Sequence, residues 1–191
     1  MAFCCKKRYF CAMMYLKKIN KEDIESARRL YVSAFPPEER RDWEDVISRA
    51  GAPGDGFVMY GIYTECGFEG FMTVWRFKAM RYVEHFAVAE SARGKGIGGM
   101  AISKLRDEED VPVILEVELP ICGAEAQRRI GFYERHGFTA HRDFRYVQPP
   151  YGENLPSVEL MLMTSGPVDL REATRTLHRD VYGVTDEAPA I

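Results

Sequence analysis

The chain lacks the features that would assign it to several large protein classes. Among its 191 residues are only five cysteines (Cys4, Cys5, Cys11, Cys66 and Cys122), an odd number with no C-x-x-C pair. Its four histidines show no ligand spacing beside them, so neither a disulfide framework nor a metal site is expected. Reduced thiols of this kind are the expectation for a cytoplasmic protein. No apolar run approaches the roughly 18 residues of a membrane span, and no membrane partner is expected. The opening MAFCCKKRYFCAMMYLKK has an apolar stretch too short for a signal peptide. Residues 1–12 are therefore expected to be an extension, with the domain starting near Met13. Neither charge sign dominates: 26 basic residues against 29 acidic ones leave a formal net charge of −3. That gives no general nucleic-acid surface. Repeats and low-complexity tracts are also missing.

What remains is an ordinary globular composition, 46% hydrophobic and 29% charged, suited to one domain with a proper core. MYLKKI reads as a strand. Asn20, with Asp23 three residues on, reads as the cap of a helix stopped by Phe35-Pro36-Pro37. PEERRDWEDVISRA reads as a second helix. FVMYGIYT and GFEGFMTVWRF form a hairpin around Glu65-Cys66. RYVEHFAVA is a third strand, whose period of two puts Tyr82, Glu84, Phe86 and Val88 on one face and Val83, His85 and Ala87 on the other. A helix follows, with Asp107 to Asp110 as a solvated acidic end. VPVILEVEL, FTAHRDFRYV and SVELMLMT are further strands, and GAEAQRRIGFYERHG is a helix ended by Gly137. DLREATRTLHRDVYGV reads as a terminal helix with Leu170, Ala173, Leu177 and Val181 on its inward stripe. The order is β-α-α-β-β-β-α-β-α-β-β plus a helix, a mixed α/β sheet in which antiparallel hairpins lead into one β-α-β unit.

That unit holds the most informative stretch, SARGKGIGGMAISKL. It fits G-x-G-x-x-G through Gly94, Gly96 and Gly99, with Glu116 about twenty residues on, as in a dinucleotide oxidoreductase. It also fits R-x-x-G-x-G through Arg93, Gly96 and Gly98. Chain order favours the second pattern, because a dinucleotide turn opens a repeated β-α-β array and here three strands and two helices come first. Cations interleaved with glycines at a helix start suit a pyrophosphate.

At this point the sequence resembles the GNAT acetyltransferase superfamily. VEHFAVAESARGKGIGGMAISKL resembles its strand 4, pyrophosphate loop and helix 3. ILEVE resembles its strand 5, and AEAQRRIGFYERHGF its helix 4. The resemblance covers most of the chain and implies a GNAT domain over residues 13–165, with a C-terminal helix and tail over 166–191. It implies a mostly antiparallel sheet splayed between strands 4 and 5, with helices on both faces. It also implies acetyl-CoA as co-substrate, held by the backbone of Phe86, Ala87 and Val88 and by the loop Arg93, Gly94, Lys95, Gly96, Ile97, Gly98 and Gly99. The Val88 amide would serve an oxyanion. Tyr133 would be the acid, and Glu116 or Glu84 the base, each of which could instead be a satisfied acid at a sheet edge. His85 reads as structural and His136 as a solvated surface residue. One departure is Ala126, where members often carry asparagine; that contact to the cofactor is either lost or supplied by Gln127 or Arg129.

The implied reaction is acetyl transfer to a primary amine of a small molecule or peptide, received between FPPEERRDWEDV and RYVQPPYGENLP. Trp43 and Tyr151 would line that pocket or simply pack. A non-catalytic acyl-CoA sensor or interaction domain is the alternative. The terminal stripe needs cover on its own domain or on a second subunit, and the family's frequent dimers favour a homodimer.

Overall fold

The computed structural model describes residues 13–54, 56–152 and 154–184. The extension expected over 1–12, with Cys4, Cys5 and Cys11, lies outside them, as does 185–191. Strand β1 (Tyr15–Lys18) leads to helix α1 (Ile24–Ala34) through a 3-10 turn, Lys21–Asp23. Asn20 makes no capping bond; its amide donates to Asp23 Oδ2 at 3.0 Å. The prolines end α1 as their chemistry requires. A 3-10 turn (Pro37–Glu39) and an extended Arg40 follow, so helix α2 spans only Trp43–Gly51. The second helix expected from Pro37 is thus interrupted, and Arg41 falls in the interruption.

Strands β2 (Phe57–Thr64), β3 (Gly67–Arg76) and β4 (Arg81–Val88) form an antiparallel meander. Helix α3 (Ile97–Glu108) crosses to β5 (Val113–Glu118), and helix α4 (Ala124–Arg135) follows. The strand expected at FTAHRDFRYV is two short ones, β6 (Thr139–Ala140) and β7 (Tyr146–Gln148), both on β8 (Val158–Thr164). The order is β1-β2-β3-β4-β5-β8-β6, with β7 also on β8, and only β4–β5 is parallel. This is the mixed, mostly antiparallel sheet expected.

Helices cover both faces. On one side Ile97, Ala101, Ile102 and Leu105 of α3 and Ile130 and Tyr133 of α4 pack on Val83, Leu115 and Val117. On the other, Ala27 and Tyr31 of α1 and Val46 of α2 pack on Phe71, Tyr82 and Ile114. Helix α5 (Leu170–Thr176) and a π-helical turn (Leu177–Val181) join this second layer. There Ala173, Leu177 and Val181 are buried. Three residues of the terminal stripe are therefore covered by their own domain, and only Leu170 at its start is partly buried. The acidic end of α3 is not merely solvated either. Glu108 and Glu109 pair with the buried Arg81, and Glu109 also with Arg76.

Candidate active site

The parallel pairing of β4 and β5 is short. It runs through Arg81 with Val113 and Tyr82 with Ile114, and ends at Val83 with Leu115. Glu84 and Glu116 are the next residues on each strand, so both carboxylates stand where the sheet opens. Glu84 is also the extra residue of a β-bulge: Thr73 pairs with His85 and Val74 with Val83. A bulge reverses the alternation beyond it. Phe86 and Val88 consequently pack with Val83 on the α3/α4 side, and Ala87 lies with Tyr82 on the other. The strict parity expected for this strand fails at Glu84, and His85 shares its face.

The bulge also decides which backbone groups meet the gap. The N–H groups of His85 and Ala89 both turn to β3, at Thr73 Oγ1 (3.0 Å) and the Glu69 carbonyl (2.8 Å). By the two-residue period, the polar groups of Phe86 and Val88 face the gap, while the Ala87 carbonyl turns to Gly70. Ala87 thus has no backbone group free for a ligand strand. Arg93 Nε donates to the Val88 carbonyl at 3.2 Å.

At the end of β4 the glycine loop enters α3. Gly94 and Gly96 have φ of 73° and 78°, a region that disfavours any side chain. No side chain caps the helix, and the first bond onto it is Met100 N–H to the Gly96 carbonyl at 3.0 Å. The N–H groups of Ile97, Gly98 and Gly99 therefore point outward from a helix N-terminus, an anion-binding arrangement. Arg93 and Lys95 are exposed beside them. A cleft of about 370 Å³ runs from Phe86 and Val88 past Gly94–Gly99 to Phe132 and His136. His136 is thus not a free surface residue. Its Nδ1 meets the Phe132 carbonyl at 2.7 Å, and its Nε2 lies where a Cβ on Gly99 would collide.

Glu84 is fully enclosed and fully partnered. Its Oε1 accepts from Arg41 Nε (2.6 Å) and Tyr151 hydroxyl (3.0 Å), and its Oε2 from Trp75 Nε1 (2.7 Å). Arg41 lies over the rings of Trp75 and Tyr151, at 5.5 and 5.1 Å. It also donates to Asp45 and to the Val181 carbonyl. Buried carboxylate and guanidinium neutralise one another, and both oxygens of Glu84 are already taken by protein donors.

Glu116 differs. The Tyr82 hydroxyl donates to its Oε2 at 2.9 Å, Tyr146 to its Oε1, and Tyr182 reaches both oxygens at 3.0 and 3.2 Å. Tyr82 and Tyr182 hydroxyls touch at 2.9 Å. Burial raises its pKa to about 7, against the opposing pull of the three hydroxyls and with a further push from Glu84. No cation pairs with it among the described residues. It is a carboxyl that changes charge near neutrality.

Tyr133 stands on the other side of the sheet, between the rings of Phe132 (5.1 Å) and Phe138 (5.6 Å). Burial raises its pKa to about 12, so it is a neutral donor. Its hydroxyl makes no hydrogen bond among the described residues. His85 is buried, bonded to Thr73 through Nδ1 (3.1 Å), and held neutral by burial at a pKa of about 4. Ala126 is buried in α4. Gln127 is engaged with the Pro120 carbonyl (3.1 Å) and Arg129 with Glu118, so both candidate replacements for asparagine are committed to the protein.

Sequence reasoning missed Arg41, Trp75, Tyr82, Tyr146 and Tyr182. Tyr82 had a signal, since it stands two residues before Glu84. The others come from segments distant in the chain, and no local pattern marks them. Trp43, weighed as a pocket residue, packs on Tyr31 at 5.4 Å, whereas Tyr151 does reach the site.

A family model described as an acetyltransferase (GNAT) domain matches residues 55–140. A solved structure from Bacteroides thetaiotaomicron, "Putative acetyltransferase from GNAT family", is 35% identical with a TM-score of 0.81, covering 90% of this chain and 99% of its own. The curated "Putative acetyltransferase YjbC" of Bacillus subtilis is 26% identical over 117 residues, 58% of this chain. That match spans 60% of YjbC's length. The spermidine N-acetyltransferase of Vibrio cholerae, solved with CoA and spermine, shares the fold alone, at 12% identity and TM-score 0.60 over 79% of this chain and 94% of its own. With the splayed strands, the glycine loop and the relative from Bacteroides, the chain belongs to the GNAT acetyltransferase family.

Proposed function

We propose that this protein transfers the acetyl group of acetyl-CoA to a primary amine of a small molecule or peptide, by direct attack in a ternary complex. The observation that carries it is the division of labour across the sheet. The neutral phenol of Tyr133 lies on the face of the glycine loop and the carboxyl of Glu116 on the face of Tyr82, Tyr146 and the terminal turn, on the two sides of the sheet where β4 and β5 part.

The chain's residues fit CoA. The outward N–H groups of Ile97, Gly98 and Gly99, with Arg93 and Lys95 beside them, suit a pyrophosphate. Phe86 and Val88 offer backbone groups to an extended amide-bearing arm, as an added strand would require. Acetyl-CoA supplies the activated acyl thioester. Tyr133 donates a hydrogen bond to the departing sulfur. A phenol at about 12 facing a thiol near ~8.5 makes complete proton transfer uphill by roughly 5 kcal/mol, so donation rather than transfer is its part. Glu116 takes the proton of the amine, directly or through water, with a pKa matched to neutral pH. Glu84, committed to Arg41, shapes the pocket and sets its field.

Isothermal calorimetry with acetyl-CoA, followed by measurement of free thiol with a panel of polyamines, amino acids and peptides, tests this. Heat together with amine-dependent thiol supports an enzyme. Heat without thiol for every amine would make the chain a binding module instead.

A further inference from the structure

Helix α5 and the turn after it lie beyond the stretch that matches the family model, yet they end inside the site. The segment passes from α5 into five π-helical residues, Leu177–Val181, before Tyr182. A π-helical turn is rare, costs hydrogen-bond quality, and re-aims the residues after it. Here it is followed by a hydroxyl that reaches both oxygens of Glu116, at 3.2 and 3.0 Å, and touches the Tyr82 hydroxyl at 2.9 Å. Leu177 and Val181 anchor the turn in the core, and His178 Nε2 meets the Val147 carbonyl at 3.0 Å.

The same turn is tied to the opposite side of the pocket. Arg41, from the interruption between α1 and α2, donates to the Val181 carbonyl with one nitrogen and to Glu84 with another. Its fork and face thereby join five pieces of chain: the α1–α2 connection, β3 through the Trp75 ring, β4, the loop of Tyr151 through its ring, and the C-terminal turn. A guanidinium is suited to this, having a planar set of fixed donors.

We propose that the C-terminal segment Leu170–Tyr182 is a working part of the site, in which Tyr182 is the positioning residue for the Glu116 carboxylate and Arg41 is the latch that holds Tyr182 over it. The inference rests on Glu116 as the base. The groups facing Glu116 are Tyr82 and Glu84 from β4, Tyr146 from β7, Tyr151 from its loop and Tyr182 from the terminal turn. Tyr182 is the one of these that the terminal segment supplies. Hydroxyl donors favour the charged carboxylate, so losing one moves the titration upward.

The test follows the Glu116 side-chain carbon by NMR through a pH titration, which needs neither substrate nor turnover. Tyr182→Phe should move the midpoint up by about half a pH unit or more, about threefold in the proton equilibrium. The acid limb of kcat/KM should move with it. In 3-fluorotyrosine at position 182 the stronger donor should move the midpoint down, a readout that survives if the phenylalanine variant folds poorly. Amide exchange over 170–182 should rise about tenfold in Arg41→Met and less in Arg41→Lys. A midpoint indifferent to both changes at position 182 overturns the positioning role, and unchanged exchange in Arg41→Met overturns the latch. A moved midpoint in a chain that acetylates no amine would sink the proposed reaction while leaving the positioning intact.

Discussion

Glu84 and Glu116 stand at equivalent positions on adjacent parallel strands, each the first residue beyond the last β4–β5 pair, Val83 with Leu115. Two identical side chains at the same opening meet opposite environments. One is locked to a guanidinium with all its contacts filled. The other is surrounded by tyrosine hydroxyls, with no cation paired to it among the described residues. Environment, not residue type, separates a structural carboxylate from a titrating one.

Glutamine substitutions should separate them. Glu116→Gln should abolish the acid limb of kcat/KM near pH 7 and cut the rate most where the amine is protonated. Glu84→Gln should instead destabilise the fold by roughly 3 kcal/mol, because it removes the buried anion nearest Arg41 and leaves that guanidinium only the more exposed Asp45 at 3.3 Å. Thermal melts beside pH–rate profiles check both. A Glu84→Gln chain of native stability that has lost its acid limb would reverse the assignment.

The two largest contributions of buried acid and histidine to the pH dependence of stability oppose one another. The folded pKa of Glu116 is raised from 4.5 to about 7, so the folded state holds more protons and stability falls as pH rises through that window, by roughly 3 kcal/mol. The folded pKa of His85 is lowered from 6.5 to about 4, so stability falls as pH drops through that window, by a similar amount. Between about pH 4.5 and 6.5 these two offset, so denaturant unfolding of the native chain should show only the slope left by the smaller shifts of His141 and His178, lowered by burial, and of Glu39, raised by burial. Glu116→Gln should uncover the histidine slope, with stability declining toward acid. A variant with the same slope as the native chain would remove one or both shifts.

The glycines of the loop should fail in different ways. Gly96→Ala forces a side chain into φ of 78° and should cost about 1–2 kcal/mol of stability as well as acetyl-CoA affinity. A Cβ on Gly98 would meet Val88 and Phe86 at 3.4 and 3.6 Å, ordinary contact, so Gly98→Ala should keep its melting temperature while narrowing the cleft. Its affinity should drop by more than tenfold, about 1.4 kcal/mol, in calorimetry. Unchanged affinity in Gly98→Ala would place the phosphates elsewhere.

Tyr133→Phe removes a hydroxyl that no protein group among the described residues uses. Stability and acetyl-CoA affinity should hardly change, while kcat falls by roughly 10²–10³. Full kcat in this variant would leave positioning of thioester and amine as the source of rate.

Local chemistry in the chain was enough for most of the element order, the glycine loop with its helix start, and Tyr133 in its helix. Strand alternation, proline stops and glycines at positive φ act over a few residues, and so they can be read from a few residues. What tertiary structure decided is everything that depends on two distant segments meeting. The bulge at Glu84 broke the expected parity because pairing with β3, not the strand's own pattern, sets its register. Arg41 reads as one cation in an ordinary charged helix until the helix breaks and aims it at Glu84. The terminal stripe looked equally ready for a second subunit, since an apolar face does not specify its cover; burial against Tyr82 and Ile114 supplied that. Nor could the two glutamates be ranked from sequence, because a carboxyl's charge at neutral pH is set by partners that strands, loops and a C-terminal turn deliver from far along the chain.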